Sequence, residues 1–124
     1  MKVIAGDLHD PCVATYQTLE ADQLNQALKA CGISGASKRQ AIMEHFLFNA
    51  GYFRDSRWFE EGGRRFRPVV CFEEVAPDGS SKNRMLIPDG SFGTCFHDYA
   101  HGAAAWIFEH GESTSEIEAG DVSQ

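Results

Sequence analysis

Between positions 18 and 31 the apolar residues recur with the period of a helix. Leu24, Ala27, Leu28 and Cys31 follow one another at steps of three, one and three, which stacks them on one side, and Gly32 supplies a stop. Next, Ser37, Lys38, Arg39 and Gln40 read as a capping box, in which the serine hydroxyl accepts from an orphan amide and Gln40 reaches back to the cap residue. This predicts a second helix over 38–50, with Ile42, Phe46 and Ala50 as its apolar stripe and Gly51 just beyond. The connection 32–36 should fold the two helices into a hairpin or a near-perpendicular pair. The outline also suits a helix-turn-helix. However, the basic and amide residues Lys38, Arg39, Gln40 and Asn49 are interrupted by Glu44, so simple packing is the better reading.

From Arg64 the period drops to two. Phe66, Pro68, Val70 and Phe72 fall on one face, and Arg65, Arg67, Val69, Cys71 and Glu73 on the other, which predicts a strand over 64–73. Pro68 has no amide hydrogen and confines that strand to an edge, or delays its start. Pro77, Asp78, Gly79 and Ser80 have turn chemistry, and 84–87 returns as a strand, so an antiparallel hairpin should span about 69–87. Lys2 to Ala5 can add a third strand, and the segment holding Tyr52, Phe53, Trp58 and Phe59 another short element. A second turn at 88–91 precedes a helix over 94–110. Its stripe is Phe96, Ala100, Ala103 and Ile107, widened by Tyr99 and Trp106, and it ends at Gly111. Gly102 inside it weakens the helix or marks close packing.

These elements make an α+β fold with about three helices packed on a small antiparallel sheet. The length of 124 residues, with 43% hydrophobic, allows one modest core and excludes a two-domain cofactor enzyme. We expect one domain over 1–110 and a flexible acidic tail over 111–124, where apolar residues are sparse.

The formal charge is −7, and its distribution is uneven. Every Lys and Arg lies at or before Arg84, balanced there by as many Asp and Glu, so the whole deficit is carboxyl-terminal. Such a chain is ill suited to nucleic acid or to an anionic membrane surface. No run approaches the roughly 18–20 apolar residues of a membrane span, and the first residues turn polar before a signal-peptide core develops, so the expected compartment is the cytoplasm. Cys12, Cys31, Cys71 and Cys95 have no CxxC spacing and read as reduced thiols.

Two constellations carry chemistry. His97 and His101, four apart, can aim both imidazoles at one ion, zinc or another divalent transition metal, with Asp98 as a strained third ligand or an orienting acceptor. The zinc-peptidase glutamate of HExxH is missing. A complete site would need a distant donor group, for which His9, Asp7 and Cys12 are the best candidates. The simpler reading leaves both histidines on the polar side of the last helix. His9 beside Cys12 also suggests an activated thiol, although Asp10-Pro11 reads equally as an ordinary turn. His45 is expected as a packed or partly exposed histidine.

The second constellation runs from Phe53 to Arg67. Arg54, Arg57, Trp58, Phe59, Arg64, Arg65 and Arg67 interleave aromatic rings with guanidinium groups around Gly62-Gly63, and Asp55, Glu60 and Glu61 offset part of the charge. There is no phosphate-binding glycine loop. Aromatic and arginine side chains together typify protein interfaces, where a large apolar body and a forked donor are buried against a partner. The leading expectation is therefore a small interaction or regulatory protein that holds a protein partner, such as an acidic segment, without a cofactor. A metal-dependent hydrolase or metal-binding domain on the histidines is the alternative.

Overall fold

The structure, a computed structural model, describes residues 1–6, 8–88 and 96–122. Along the chain run β1 (Lys2–Ala5), α1 (His9–Ala30), α2 (Ala36–Ser56), β2 (Phe59–Glu61), β3 (Arg64–Phe66), β4 (Phe72–Val75), β5 (Ser81–Ile87) and α3 (Phe96–Glu109). The expected α+β class is what forms: three helices, a three-stranded sheet and a separate two-stranded hairpin. No helix among the described residues is long and apolar enough to cross a membrane. Part of the predicted turn at 88–91, and residues 94 and 95 of the predicted last helix, lie outside the described residues.

α1 begins well before position 18. Asp10 and Pro11 form its first turn rather than a separate one, because a proline there gives up only an amide that would have no intrahelical partner. Its buried row is His9, Val13, Gln17, Ala21 and Asn25, at steps of four. Ala27 and Cys31 are exposed, and Leu24 and Leu28 only half-buried. With Thr18 beside them, four of the six buried residues of α1 are polar, so the apolar period there is faint.

α2 also departs from expectation. It starts at Ala36 with Gly35 as an extended cap residue and no side-chain cap bond, so Ser37 and Gln40 form no capping box. The helix continues through Gly51, and its buried row is Arg39, Met43, Leu47 and Gly51. The expected stripe of Ile42, Phe46 and Ala50 is turned aside by one position, about 100°, and Phe46 is 52% exposed. The last helix matches its prediction: Phe96, Ala100, Ala103 and Ile107 are all buried, joined by Ala104. Gly111 adopts φ 66°, and the Glu112 amide donates to the Ile107 carbonyl at 2.8 Å, closing the helix end. Ala21, Met43, Leu47, Ala100, Ala103, Ala104 and Ile107 form the shared core.

In the larger sheet the strand order is β1-β5-β4. The predicted hairpin is present as the antiparallel β4–β5 pair, with Gly79 donating to Ala76 at 2.8 Å in its turn, while β1 joins β5 in parallel. A bulge between Glu73 and Val75 accompanies Asn83, whose φ is 55°. The continuous strand expected over 64–73 is broken. Arg64–Phe66 pairs instead with Phe59–Glu61, and Pro68, which cannot donate to a ladder, lies in the gap before β4. Phe72 carries the sheet onto α1, with its ring 5.3 Å from that of His9 and 5.8 Å from that of Tyr16.

A buried polar cluster joins the three helices. Arg39, only 4% exposed, donates to Asn25 Oδ1 at 2.9 Å, to the carbonyls of Ile33 and Ser34, and to Glu112 Oε1 at 2.7 Å. Asn25 and Lys29 reach the same Glu112 oxygen at 3.0 and 3.2 Å. The acidic carboxyl-terminal segment is thus tied to α1 and α2 at its start, and Ile117 further along borders a groove with Ala14, Thr18 and Trp106.

Hydrogen bonds from Asn25 and Arg39, with Lys29 beside them, hold the Glu112 carboxyl at about 2, below its ordinary 4.5. A depressed carboxyl pKa stabilises the fold above the unfolded value and loses that contribution as the pH falls toward the folded one. Urea titrations should therefore show the protein losing stability between about pH 5 and pH 2. Glu112→Ala should be about 2 kcal/mol less stable at pH 7 and show a flatter acid limb. A second test concerns Gln17, which is fully buried with neither Nε2 nor Oε1 hydrogen-bonded. Gln17→Met should raise the unfolding midpoint, by about 1 kcal/mol of stability, because it removes an unpaired buried amide at similar volume.

Candidate functional site

α2 ends at Ser56, and every residue from 56 to 67 is exposed. Within that stretch Gly62 and Gly63, with φ of 58° and 76°, make a two-residue turn of the type that suits a twisted hairpin and that side chains disfavour. The register sets Phe59 opposite Phe66, Glu60 opposite Arg65 and Glu61 opposite Arg64. One face thus carries the two phenylalanines, with ring centroids 6.1 Å apart. On the other, the Arg65 guanidinium lies 4.2 Å from the centre of the Trp58 ring, and exposed Arg67 follows the end of β3. Arg57 sits 5.7 Å over Phe53, at the root of the hairpin.

Trp58 is 54% exposed, Phe59 48% and Phe66 47%. Three large rings on a two-stranded ribbon cannot bury one another, and such a ribbon alone is marginal in water. The arginines spread over both faces of a thin blade, and each charged strand position opposes its counter-charge across the ladder, which steadies the pairing.

Arg54 does not join this surface. Its two terminal nitrogens grip both oxygens of Glu20 at 2.7 and 2.6 Å, and its guanidinium lies 5.3 Å over the Phe96 ring. Glu20 drives its pKa still higher. Its role is to brace α2 against α1 and α3 beneath the hairpin.

The histidines occupy a different place. Asp55, whose side chain is 3% exposed, accepts from the amides of Phe96 and His97, both at 3.1 Å, and from His97 Nδ1 at 2.5 Å. It caps α3 from another helix, where the helix dipole favours a carboxylate. His97 Nε2 lies 3.2 Å from Asp98, and the rings of Phe48 and Tyr52 pack edge-on against His97. Both ring nitrogens therefore already have a carboxylate neighbour. His101 Nδ1 lies 3.8 Å from Glu44, with its ring centroid 5.9 Å from that of Phe48, and it lines a groove of about 250 Å³ with Ala41, Glu44, His45 and Phe48. Of the donor group proposed at the amino terminus, His9 Nε2 is 2.7 Å from the Val70 carbonyl, and Asp7 lies outside the described residues. Among the described residues no three His, Cys, Asp or Glu side chains gather where they could hold a metal ion. Cys12, Cys31 and Cys71 are free thiols.

Sequence reasoning placed Phe66 on one face of a long strand over 64–73 and treated Asp55 only as an offsetting charge. Phe66 becomes visible once Gly62-Gly63 is read as a tight turn, which places Phe59 opposite it. Asp55 gives no local signal, because its partners are 41 and 42 residues away. Compared with protein-family models, curated proteins and solved structures, the chain matches none.

Gly51 permits the Asp55 cap. A Cβ added there would lie 2.7 Å from the His97 amide nitrogen and 2.8 Å from the Phe96 carbonyl carbon, whereas one added at Gly102 would meet nothing within 4 Å. The same substitution should thus have opposite signs at these two mid-helix glycines. Gly102→Ala should stabilise by about 0.5–1 kcal/mol, and Gly51→Ala should destabilise by about 1–3 kcal/mol and shift the His97 ring resonances. Thermal unfolding and histidine NMR measure both.

Proposed function

We propose that the protein is a small partner-binding module whose working element is the hairpin β2–β3 with its approaches, carrying Arg57, Trp58, Phe59, Arg64, Arg65, Phe66 and Arg67. The observation behind this reading is the run of exposed residues 56–67, which holds three large rings and four arginines. Association would bury the rings, and the guanidinium groups would form forked hydrogen bonds to partner carboxylates. No covalent step is involved. The braced root at Arg54 and Glu20 gives the hairpin a fixed base, so less freedom is lost on binding. The same reading places the protein in the cytoplasm, where free thiols persist.

A photo-crosslinking residue at position 58 should capture a defined protein, and one at exposed Gln26 on α1 should not. With that protein purified, Trp58→Ala should weaken binding at least about tenfold, as for an interface hot spot, while circular dichroism and the unfolding midpoint stay unchanged. An affinity untouched by Trp58→Ala in a folded variant removes the proposal.

A further inference from the structure

The two outer edges of the hairpin differ in charge. β2 carries Glu60 and Glu61, while β3 carries Arg64 and Arg65 and runs on into Arg67. Among the described residues the hairpin is a two-stranded sheet with no third strand at either edge. Its register also decides which backbone groups face outward. Glu61 and Arg64 flank the two-residue turn and form its closing hydrogen-bonded pair, and Phe59 with Phe66 forms the next. The amide and carbonyl of Arg65 between them are therefore directed away from β2, toward solvent. Pro68, lacking an amide hydrogen, limits the edge on its far side.

Building on the partner-binding role proposed above, we infer that the outer edge of β3 takes up an extended acidic segment of a protein partner as a third strand. Backbone hydrogen bonds at Arg65 set the register, and side chains supply selectivity. Because successive residues of a strand face opposite sides, carboxylates two positions apart on the incoming segment fall on the side of Arg65 and Trp58, with Arg67 just past the end of the strand. The apolar residues between them fall on the side of Phe66 and Phe59. The preferred ligand is thus a strand alternating acidic and apolar residues. The β2 edge rejects the same strand through Glu60 and Glu61, which gives the docking a single polarity. The outward carbonyl of Arg65 needs a donor, which a peptide amide supplies and a phosphate backbone does not, and this counts against nucleic acid as the occupant.

The test uses the intact protein and a capped seven-residue peptide of alternating Glu and Val. Trp58 fluorescence should titrate with the peptide, and hydrogen exchange at the Arg65 amide should slow by at least about tenfold at saturation. An N-methyl group on alternate peptide nitrogens, placed to block the strand edge, and separately the exposed-site double variant Arg65→Glu/Arg67→Glu, should each weaken binding by about tenfold or more. If the N-methylated peptide binds as well as the parent, or the Arg65 amide keeps its free exchange rate, strand addition is overturned. Failure of the Glu/Val peptide to bind, or salt-sensitive binding of a single-stranded oligonucleotide in its place, also overturns it. None of these failures touches the dependence of the crosslinked partner's affinity on Trp58, which tests the broader role separately.

Discussion

Arg39 carries a guanidinium removed from water, and its donors are met by groups from three separate stretches of chain: Asn25 on α1, the carbonyls of Ile33 and Ser34 before α2, and Glu112 after α3. A buried charge left unpaired would cost several kcal/mol, so the three stretches must be present together or the arrangement fails. At the far end of α2, Asp55 does the complementary job by capping α3. Both ends of α3 are thereby pinned to one helix. The space between them is filled by small residues, Ala21, Ala100, Ala103 and Ala104, around Met43, Leu47 and Ile107. Close approach of this kind tolerates little extra volume. That is why Gly51, and no larger residue, lies under the start of α3.

This polar pinning also explains which parts of the fold were legible in the sequence. α3 packs with an ordinary apolar stripe, and its buried face was read correctly from spacing alone. The turn at Gly79 and the amino-terminal strand announced themselves through turn chemistry and β-branched residues. α1 and α2 were harder, because His9, Gln17, Asn25 and Arg39 occupy buried positions that a hydrophobic pattern assigns to solvent. On α2 the effect is compounded: aromatic residues surround the helix, so the stripe built on Phe46 looked better than the true one built on Arg39, Met43 and Leu47. Long-range hydrogen bonds decided the matter, and spacing holds no record of them.

The surface between Arg57 and Arg67 was legible in composition but not in its division. Arg54 looked like a member of the same cluster, yet it lies on α2 at a position that meets Glu20, and helix geometry commits it inward. Trp58 and Phe59 follow the helix end and escape the core because the chain turns straight into a hairpin too short to fold back over them. The placement of His97 is a similar case. Its spacing from His101 suggested a shared ligand, and in the structure each imidazole meets a different carboxylate of α2, His97 that of Asp55 and His101 that of Glu44.

The hairpin raises a physical question of its own, since an exposed, half-apolar ribbon with open edges invites indiscriminate self-pairing. Its composition restrains the two symmetric pairings, and not that of a β2 edge with a β3 edge. Two hairpins meeting through their β3 edges would set arginine against arginine, and two meeting through their β2 edges would set glutamate against glutamate. Each strand is only three residues long, and Pro68 caps the extension of β3. Meanwhile the glycine turn, the facing phenylalanines and the Trp58–Arg65 stack bias this marginal ribbon toward its bound shape, so a ligand strand of the proposed kind would meet an edge largely formed. Since ordering a flexible segment on binding would cost on the order of 1–2 kcal/mol per residue in backbone freedom, a preformed edge converts modest contacts into usable affinity. In the proposed role, charge at the edges would then decide which strands could use it.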